Sequence, residues 1–273
     1  MEKELLKIIA DDWSDESDTH PDWLFYRTDE YISKIIDNPY SIFHPTLANV
    51  IQDIFPDLHG KKVCVPSSGD NRAVFAFHLL GAKVTSSDIS VRQLANAEAT
   101  AKKYGWDIEF VLDNTMTLEK IEEGAYDWVF TSNGVHVWID DLMAMYKSIY
   151  KILNTTGVYT MCELHPIDRP IDDCFGELKI RKPYGEIGPY FDGVNYHWRT
   201  QDYVNAIAKA GLSITRMEEF FDSRENGCYW FSELKRTSMT KDEINRYYDW
   251  HINPQAALPQ WLSICAMKQT IKV

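Results

Sequence analysis

The sequence predicts an α/β domain built on a doubly wound, mostly parallel sheet. Between residues 61 and 163, short runs rich in β-branched and aromatic residues alternate with amphipathic helical stretches. The connections between these runs are only a few residues long, which favours a parallel sheet covered by helices on both faces. The chain has 273 residues, of which 45% are hydrophobic and 25% charged, a balance able to bury a sizeable core.

Each element is justified by its own pattern. Lys62–Pro66 (KVCVP) is a short buried strand, and a Ser/Gly turn and a helix through Leu80 follow it. The helix after the second strand takes Ser90 as its N-cap and ends at Gly105, and a later helix begins at about Asp140. Asn154–Gly157 is expected to be a turn. The seven predicted strands cover 62–66, 83–87, 108–112, 126–131, 158–162, a segment near 212–221 and one near 262–268.

Two regions lie outside the strand–helix alternation. Residues 1–60 are predicted to form a helical cap with several aromatic residues. Residues 164–200 are rich in Pro, Gly and aromatics and are predicted to be a lid on the substrate side. The cofactor-binding half is expected at 61–163, and residues 201–273 are expected to complete the sheet.

Charge and cysteine usage exclude several classes of function. The 28 basic and 41 acidic residues give a net charge of −13, which argues against a nucleic-acid partner. No apolar run approaches the roughly 18 residues of a membrane span, and the acidic N-terminus lacks the layout of a secretory signal. The five cysteines are scattered and contain no C-x-x-C pair, which predicts reduced thiols, a cytoplasmic location and no metal site. The oligomeric state cannot be predicted from these features.

Polar residues follow the ends of four predicted strands, which should meet at one edge of the sheet. After the first strand, small residues allow a close backbone approach to a ligand at a helix N-terminus. Asp88 ends the second strand 19 residues beyond Gly69 and is placed to bind both hydroxyls of a ribose. The candidate binding residues are Pro66, Ser67, Ser68, Gly69, Asp70, Asn71, Asp88, Ile89, Asp113, Asn114, Thr115, Asn133 and Gly134.

These motifs, taken together, resemble those of the class I S-adenosylmethionine-dependent methyltransferases of the small-molecule type. The resemblance covers about residues 61–166, and it rests on VCVPSSGDN, VTSSDIS, VLDNTM, YDWVFTSNGVHVW and KILNTTGVYTMCELHP in the family's order. It implies a Rossmann-like methyltransferase fold, S-adenosyl-L-methionine as cofactor and S-adenosyl-L-homocysteine as product. It also implies that Asp113 contacts the adenine amine. The size of the inserted region favours an enclosed pocket for a small-molecule acceptor.

The first motif departs from the family pattern at three positions. Val65 stands where an Asp is frequent, Ser67 replaces the first Gly and Asn71 replaces the last. Serine is small enough for the turn, and asparagine tolerates left-handed backbone angles better than most residues. The missing Asp removes one contact that the resemblance implies for the methionine ammonium.

Candidate catalytic and lid residues lie near the predicted edge. A histidine could deprotonate an attacking oxygen or nitrogen, although a packed histidine is the alternative at each position. The insert aromatics either line the pocket or form the core of the lid. Arg27 is expected to meet the cofactor carboxylate. The candidates are His136, His165 and His197 for catalysis, and Tyr26, Arg27, Tyr190 and Trp198 for the lid.

The predicted reaction is methyl transfer by in-line displacement, in which the protein mainly positions and desolvates the reactants. A dedicated base is needed only for a poorly ionised nucleophile. One alternative is a catalytically silent binding or regulatory protein, suggested by the three departures in the first motif. A nicotinamide-dependent oxidoreductase is a further alternative, but the chain has no Tyr-x-x-x-Lys pair and lacks the third glycine of the fingerprint.

Overall fold

The structure is a computed structural model that describes residues 3–172, 175–191 and 193–269. Its centre is a seven-stranded sheet, and the predicted α/β fold class is confirmed. The strands are β1 (Lys62–Pro66), β2 (Lys83–Asp88), β3 (Glu109–Leu112), β4 (Tyr126–Ser132), β5 (Leu153–Leu164), β6 (Leu212–Phe220) and β7 (Trp261–Lys268). A separate two-stranded hairpin pairs Ile171–Asp172 with Lys179–Ile180.

The sheet order β3-β2-β1-β4-β5-β7-β6 places the carboxyl ends of six strands at one edge. Strands β1 to β5 pair in parallel, with Val63 opposite Val84 in the first pair. Strand β7 runs antiparallel between β5 and β6, so that Trp261 at its start lies opposite both Leu164 and Phe220. The first residue of β7 therefore joins the same edge as the carboxyl ends of the other strands.

Strand β5 begins earlier than predicted. The sequence suggests a turn at Asn154–Gly157, but Leu153 already pairs with Tyr126 and a bulge follows between Tyr126 and Trp128. A Cβ on Gly157 would lie 2.8 Å from Leu153 Cδ2 and 2.9 Å from the Tyr126 carbonyl oxygen. Gly157 therefore allows the bulged strand to pass close to its neighbour.

Helices cover both faces of the sheet and begin at side-chain caps. Ser90 accepts a hydrogen bond from the Gln93 N–H, and Asp141 accepts one from Ala144 N–H. The helices are α1 (Lys3–Thr19), α2 (Pro21–Tyr26), α3 (Asp29–Asp37), α4 (Pro45–Ile54), α5 (Arg72–Leu79), α6 (Val91–Tyr104), α7 (Leu142–Ile152), α8 (Thr200–Lys209), α9 (Glu233–Arg236) and α10 (Lys241–Tyr248). No helix within the described ranges is long and apolar enough to cross a membrane.

The apolar core lies in two layers, one on each face of the sheet. One layer centres on Trp128 and Phe77 beneath α3 to α5, and the other on Met145 and Tyr159 beneath α7 and α8. Trp128 is fully buried, and its indole N–H donates to Thr160 Oγ1 at 3.0 Å. Each large side chain buried in this way contributes roughly 1.5–3 kcal/mol.

The connection between β6 and β7 is long. Residues 221–260 contain α9 and α10 and lie between the last two strands of the sheet. The sequence predicts residues 201–273 as the completion of the sheet, without a separate insertion at this point.

Candidate active site

A cavity of about 320 Å³ opens at the carboxyl edge of the sheet. Its floor is formed by the ends of β1, β2 and β4, and its walls by the N-terminal helices and by residues of the 221–260 connection. Ten of the predicted binding residues line it: Ser67, Ser68, Gly69, Asp70, Asp88, Ile89, Asn114, Thr115, Asn133 and Gly134. The strand ends therefore form one common site.

The loop between β1 and α5 bends through three residues with positive φ. These are Ser67 (+50°), Gly69 (+55°) and Asn71 (+60°). Asn71 donates from Nδ2 to the Gly69 carbonyl at 2.7 Å, and its Oδ1 accepts from Ser86 Oγ at 2.6 Å. Asn71 is buried and does not line the cavity; its side chain holds the turn that the family pattern assigns to glycine. Pro66 ends β1 and is also outside the cavity wall.

Asp88 joins this loop to the end of β2. Its Oδ2 accepts from the Gly69 N–H at 3.1 Å, and its Oδ1 accepts from the Ser90 N–H at 2.8 Å. The residue is 6% exposed and faces the cavity. Burial raises the pKa of its carboxyl group above the usual range, and the backbone donors at Ser90 and Gly69 partly oppose this shift. The carboxylate thus has a fixed orientation towards the cavity.

The Asp113 carboxylate bonds the backbone of the loop that follows β3. Its Oδ1 accepts from the Asn114 N–H at 2.8 Å and its Oδ2 from the Lys120 N–H at 2.7 Å. The side chain is not part of the cavity wall, whereas the next two residues are. Thr115 also forms a 2.7 Å hydrogen bond with Ser67, which links the β1 and β3 loops. The Asp113 carboxylate therefore supports the loop that presents Asn114 and Thr115.

Glu163 shapes the loop after β4, and sequence reasoning missed it. The residue is 1% exposed, and its carboxylate accepts from the N–H groups of Gly134 (2.7 Å) and Val135 (3.0 Å). It also bonds His136 Nδ1 at 2.8 Å. Burial pushes the pKa of Glu163 upwards, but the neighbouring His136 and the Gly134 N–H outweigh burial and lower it. The sequence feature that could have identified Glu163 is a single carboxylate inside an otherwise apolar strand (YTMCEL).

None of the three candidate catalytic histidines lies in the cavity wall. His136 is fully buried, and its Nε2 is 3.0 Å from the Tyr146 hydroxyl, because Glu163 draws the ring beneath the loop. His165 Nε2 lies 2.8 Å from Glu219 Oε1, and its Nδ1 accepts from the Ile167 N–H.

His197 packs against Tyr190, with ring centroids 4.5 Å apart. Burial and the nearby Arg169, Lys182 and Arg181 lower its pKa to about 4. The histidine that does line the cavity is His44, at the N-cap of α4, which the sequence analysis did not select.

The predicted lid residues have different positions. Tyr26 lines the cavity, but Arg27 does not, because its guanidinium donates to the Ser17 carbonyl at 2.6 Å and to Ser17 Oγ at 3.1 Å. Arg72 lies instead over the Tyr26 ring, 4.0 Å from its centroid. Arg72, not Arg27, is therefore the guanidinium of this cavity.

The described residues between 164 and 200 do not line the cavity, contrary to the lid prediction. Trp198 Nε1 donates to the Ile139 carbonyl at 2.9 Å, and the Tyr196 N–H donates to the Val137 carbonyl at 2.7 Å. Tyr190 bonds the Glu186 carbonyl at 2.9 Å. These bonds hold the segment against the turn after β4, so its aromatic residues form local packing.

Three tryptophans line one side of the cavity. Trp13 makes edge contacts with Trp23 and Trp138, at centroid distances of 5.6 Å and 5.5 Å. Helix α1 is fixed to α6 through a 2.9 Å hydrogen bond between Ser14 and Ser90. The N-terminal helices, together with the 221–260 connection, occupy the covering position predicted for residues 164–200.

The described residues hold no group of three or more His, Cys, Asp or Glu side chains that could bind a metal ion. The charged residues lining the cavity, apart from His44, are five carboxylates and one guanidinium: Asp22, Asp70, Asp88, Asp222, Glu233 and Arg72. The charged groups of the cavity wall are therefore predominantly acidic.

Known proteins resemble the chain in both sequence and fold. Residues 67–157 match a family model described as a methyltransferase domain. An uncharacterized methyltransferase of Bacillus subtilis is 23% identical over 179 residues, which cover 64% of this chain and 70% of that protein.

Two solved structures share the fold at low sequence identity. One is an S-adenosylmethionine-dependent methyltransferase from Mesorhizobium loti, with a TM-score of 0.61, 19% identity and coverage of 85% of this chain and 100% of that one. The other is a geranyl diphosphate C-methyltransferase from Streptomyces coelicolor A3(2), solved with S-adenosyl-L-homocysteine, with a TM-score of 0.62, 15% identity and coverage of 97% and 98%.

Residues 67–157 thus match a methyltransferase domain, and the sheet around them has the fold of known methyltransferases. The S-adenosylmethionine-dependent methyltransferase that shares the fold agrees with the family and the cofactor that the motifs predict.

Proposed function

We propose that this protein transfers a methyl group from S-adenosylmethionine to a small molecule inside the 320 Å³ cavity. The observation that carries the proposal is the position of Asp88. Its carboxylate is anchored by the Gly69 N–H of the cradle loop, and it faces the same cavity as the 221–260 connection. The same cavity therefore presents groups to the methyl donor and to the acceptor.

The residues of the cavity wall suit the parts of the cofactor. Asp88 would accept hydrogen bonds from the ribose hydroxyls. The backbone of Ser67 to Asp70 would lie along the methionine part, where Gly69 permits a close approach. Asn114 and Thr115 would contact the base, and Asn133 and Gly134 the region of the methyl group. When bound, the cofactor supplies an activated methyl carbon.

The protein's contribution to the reaction is positioning and exclusion of water. Glu163 holds the backbone of Gly134 and Val135, and the Trp13, Trp23 and Trp138 cluster covers the site. Alignment of this kind supplies up to about 7–11 kcal/mol in the best intramolecular cases. Cys162 also lines the cavity, but burial raises the pKa of its thiol, so it stays protonated. The acceptor itself must provide the attacking lone pair.

A small acceptor agrees with both the size and the charge of the cavity. Its volume lies at the lower end of the roughly 300–1,000 Å³ that is typical of small-molecule sites. Its acidic wall opposes a phosphate backbone. The free thiols of Cys64, Cys162, Cys228 and Cys265 support the predicted cytoplasmic location.

Calorimetric titration with S-adenosylmethionine and S-adenosylhomocysteine, followed by turnover assays with a panel of small acceptors, tests the proposal. We expect both compounds to bind and at least one acceptor to be methylated. Cofactor binding without turnover on any acceptor would favour a silent binding protein. Failure of both compounds to bind, combined with tight binding of a nicotinamide dinucleotide, would favour an oxidoreductase.

A further inference from the structure

We propose that the acceptor is an amine that binds as its ammonium ion against Asp222 in the same cavity, and that it passes one proton to the Asp222 carboxylate before the freed nitrogen lone pair attacks the methyl carbon. The inference rests on the proposed function and deepens it by naming the substrate class. Asp222 follows the carboxyl end of β6 and lines the cavity. It therefore lies at the same sheet edge as Asp88 but in the part of the wall formed by the 221–260 connection.

The Asp222 carboxylate is held only by neutral donors among the described residues. Its Oδ2 accepts from the Tyr229 N–H at 3.0 Å and from the Tyr248 hydroxyl at 2.8 Å, and its Oδ1 accepts from Trp261 Nε1 at 3.4 Å. No basic side chain of the described ranges lies within 4.0 Å of it. These bonds orient the carboxylate without forming an ion pair.

The nearest basic groups are engaged elsewhere. Arg236 donates to the carbonyls of Gly227 and Arg224. His44 Nδ1 accepts from the Thr46 N–H at 3.1 Å, so a neutral ring carries its proton on Nε2. Burial lowers the pKa of His44, although Asp222 partly opposes the shift, and the ring is therefore neutral at pH 7. Neither group forms an ion pair with the carboxylate, although Arg236 contacts the Tyr248 hydroxyl that donates to it.

The Asp222 carboxyl group occupies the space that a side chain at residue 227 would fill. Gly227 is buried directly against it, and a Cβ on Gly227 would lie 2.3 Å from Asp222 Cγ. Any larger residue at this position would displace the carboxylate. The site thus depends on a glycine as well as on the acid.

The one guanidinium among the residues of the cavity wall is already occupied. Arg72 Nε lies 2.5 Å from Asp70 Oδ2, and Arg72 Nη1 lies 3.8 Å from Glu233 Oε1. Its guanidinium also stacks over Tyr26. A carboxylate or phosphate on the acceptor would therefore meet acidic groups without a free cation, and this arrangement disfavours anionic acceptors.

The remaining wall near Asp222 is apolar and aromatic. Phe43, Leu47 and Trp261 are buried and face the cavity together with Tyr26. Aromatic faces stabilise an ammonium ion beyond the contribution of the carboxylate. An amine carried on an apolar or aryl group therefore fits this part of the cavity.

Three probes of similar shape test the inference: 2-phenylethylamine, 2-phenylethanol and 3-phenylpropionate. Each is titrated by calorimetry into the 273-residue chain at pH 7, with and without saturating S-adenosylhomocysteine. We expect the amine to bind about tenfold or more tightly than the alcohol, because an ammonium–carboxylate hydrogen bond exceeds a neutral one, and the acid to bind most weakly. Equal or weaker binding of the amine than of the alcohol would overturn the inference.

Two cavity variants and one control variant test whether the preference for the amine depends on Asp222. Asp222→Asn should bring the amine and the alcohol to within about threefold of each other. Gly227→Ala, which keeps the charge but displaces the carboxylate, should reduce the same preference. Asp107→Asn makes the same change in net charge at an exposed residue before β3, on the opposite edge, and should leave the preference intact. A preference that survives in both cavity variants would overturn the inference.

The cofactor titration separates the two proposals. If S-adenosylhomocysteine binds but the amine has no advantage, the substrate class is wrong and the proposed function stands. If S-adenosylhomocysteine fails to bind while the amine preference persists and depends on Asp222, the proposed function is wrong and an amine site remains.

Discussion

Replacing Asp88 with alanine should weaken cofactor binding far more than it weakens the fold. Both carboxylate oxygens are fixed by backbone N–H groups, at 3.1 Å and 2.8 Å, and the group faces the cavity. Two ribose hydroxyls that donate to a carboxylate contribute about 1.5–3 kcal/mol each before water replaces them in the variant. A net loss of about 3 kcal/mol corresponds to roughly a hundredfold weaker affinity for S-adenosylhomocysteine.

The effect on stability should be smaller, because two contributions oppose each other. The variant leaves the N–H groups of Gly69 and Ser90 without their acceptor, which costs roughly 1–3 kcal/mol. It also removes a carboxylate whose raised pKa shows that burial disfavours its ionised form. Urea unfolding at pH 7 measures the remaining difference, and calorimetry measures the affinity.

Asp113→Ala is the matched control. Asp113 also ends a strand region and also accepts from two backbone N–H groups, but it lies outside the cavity wall. We expect Asp113→Ala to lower stability by a similar amount and affinity by less than tenfold. An equal loss of affinity in both variants would show that loop order, and not a ribose contact, determines binding. An Asp88→Ala affinity within threefold of the wild type would refute the assignment of Asp88 altogether.

Three further predictions concern the surroundings of the cofactor. Glu163→Gln should lower the free energy of unfolding by roughly 3 kcal/mol at pH 7. Because the folded-state pKa of Glu163 is lowered from 4.5, its contribution to stability is complete above pH 4.5, and the difference in unfolding free energy between wild type and variant should narrow as pH falls through the lowered pKa. Urea titrations at several pH values measure this difference, and a constant difference would contradict the prediction. Gly69 has φ +55°, and a Cβ at this position would lie 3.4 Å from Trp23, so Gly69→Ala should lower stability by about 1–2 kcal/mol and weaken S-adenosylhomocysteine binding. Calorimetry measures the affinity, and an unchanged affinity would contradict this prediction. Trp23→Ala should open the cover and speed S-adenosylhomocysteine release in stopped-flow measurements, and an unchanged release rate would show that Trp23 is not part of the cover.

The sheet and the cradle were predictable because local patterns specify them. Strands with buried faces must alternate with helices, and a residue that ends a parallel strand must lie at the carboxyl edge. Asp88 and Gly69 follow from that rule without further information. Asn71 was recognised as a replacement for glycine, and the structure shows it at φ +60°.

Long side chains and aromatic insertions were not predictable in the same way. Arg27 is predicted to bind the cofactor carboxylate, but its guanidinium donates to the Ser17 carbonyl instead, and only the tertiary structure determines that contact. Trp198 and Tyr190 have the composition of a lid, but composition does not specify the side of the sheet on which a segment packs. Asp222 belongs to no motif, and only its position after β6 brings it to the cavity.

The antiparallel strand β7 has a consequence for the order in which the protein can assemble during synthesis. It inserts between β5 and β6, although both precede it in the chain, and Trp261 at its start contributes to the cavity wall and donates to Asp222. Before residues 261–268 leave the ribosome, β6 has no strand that joins it to the sheet. A nascent chain could thus form its cradle loop early, while the wall around Asp222 is completed only after β7 has been translated.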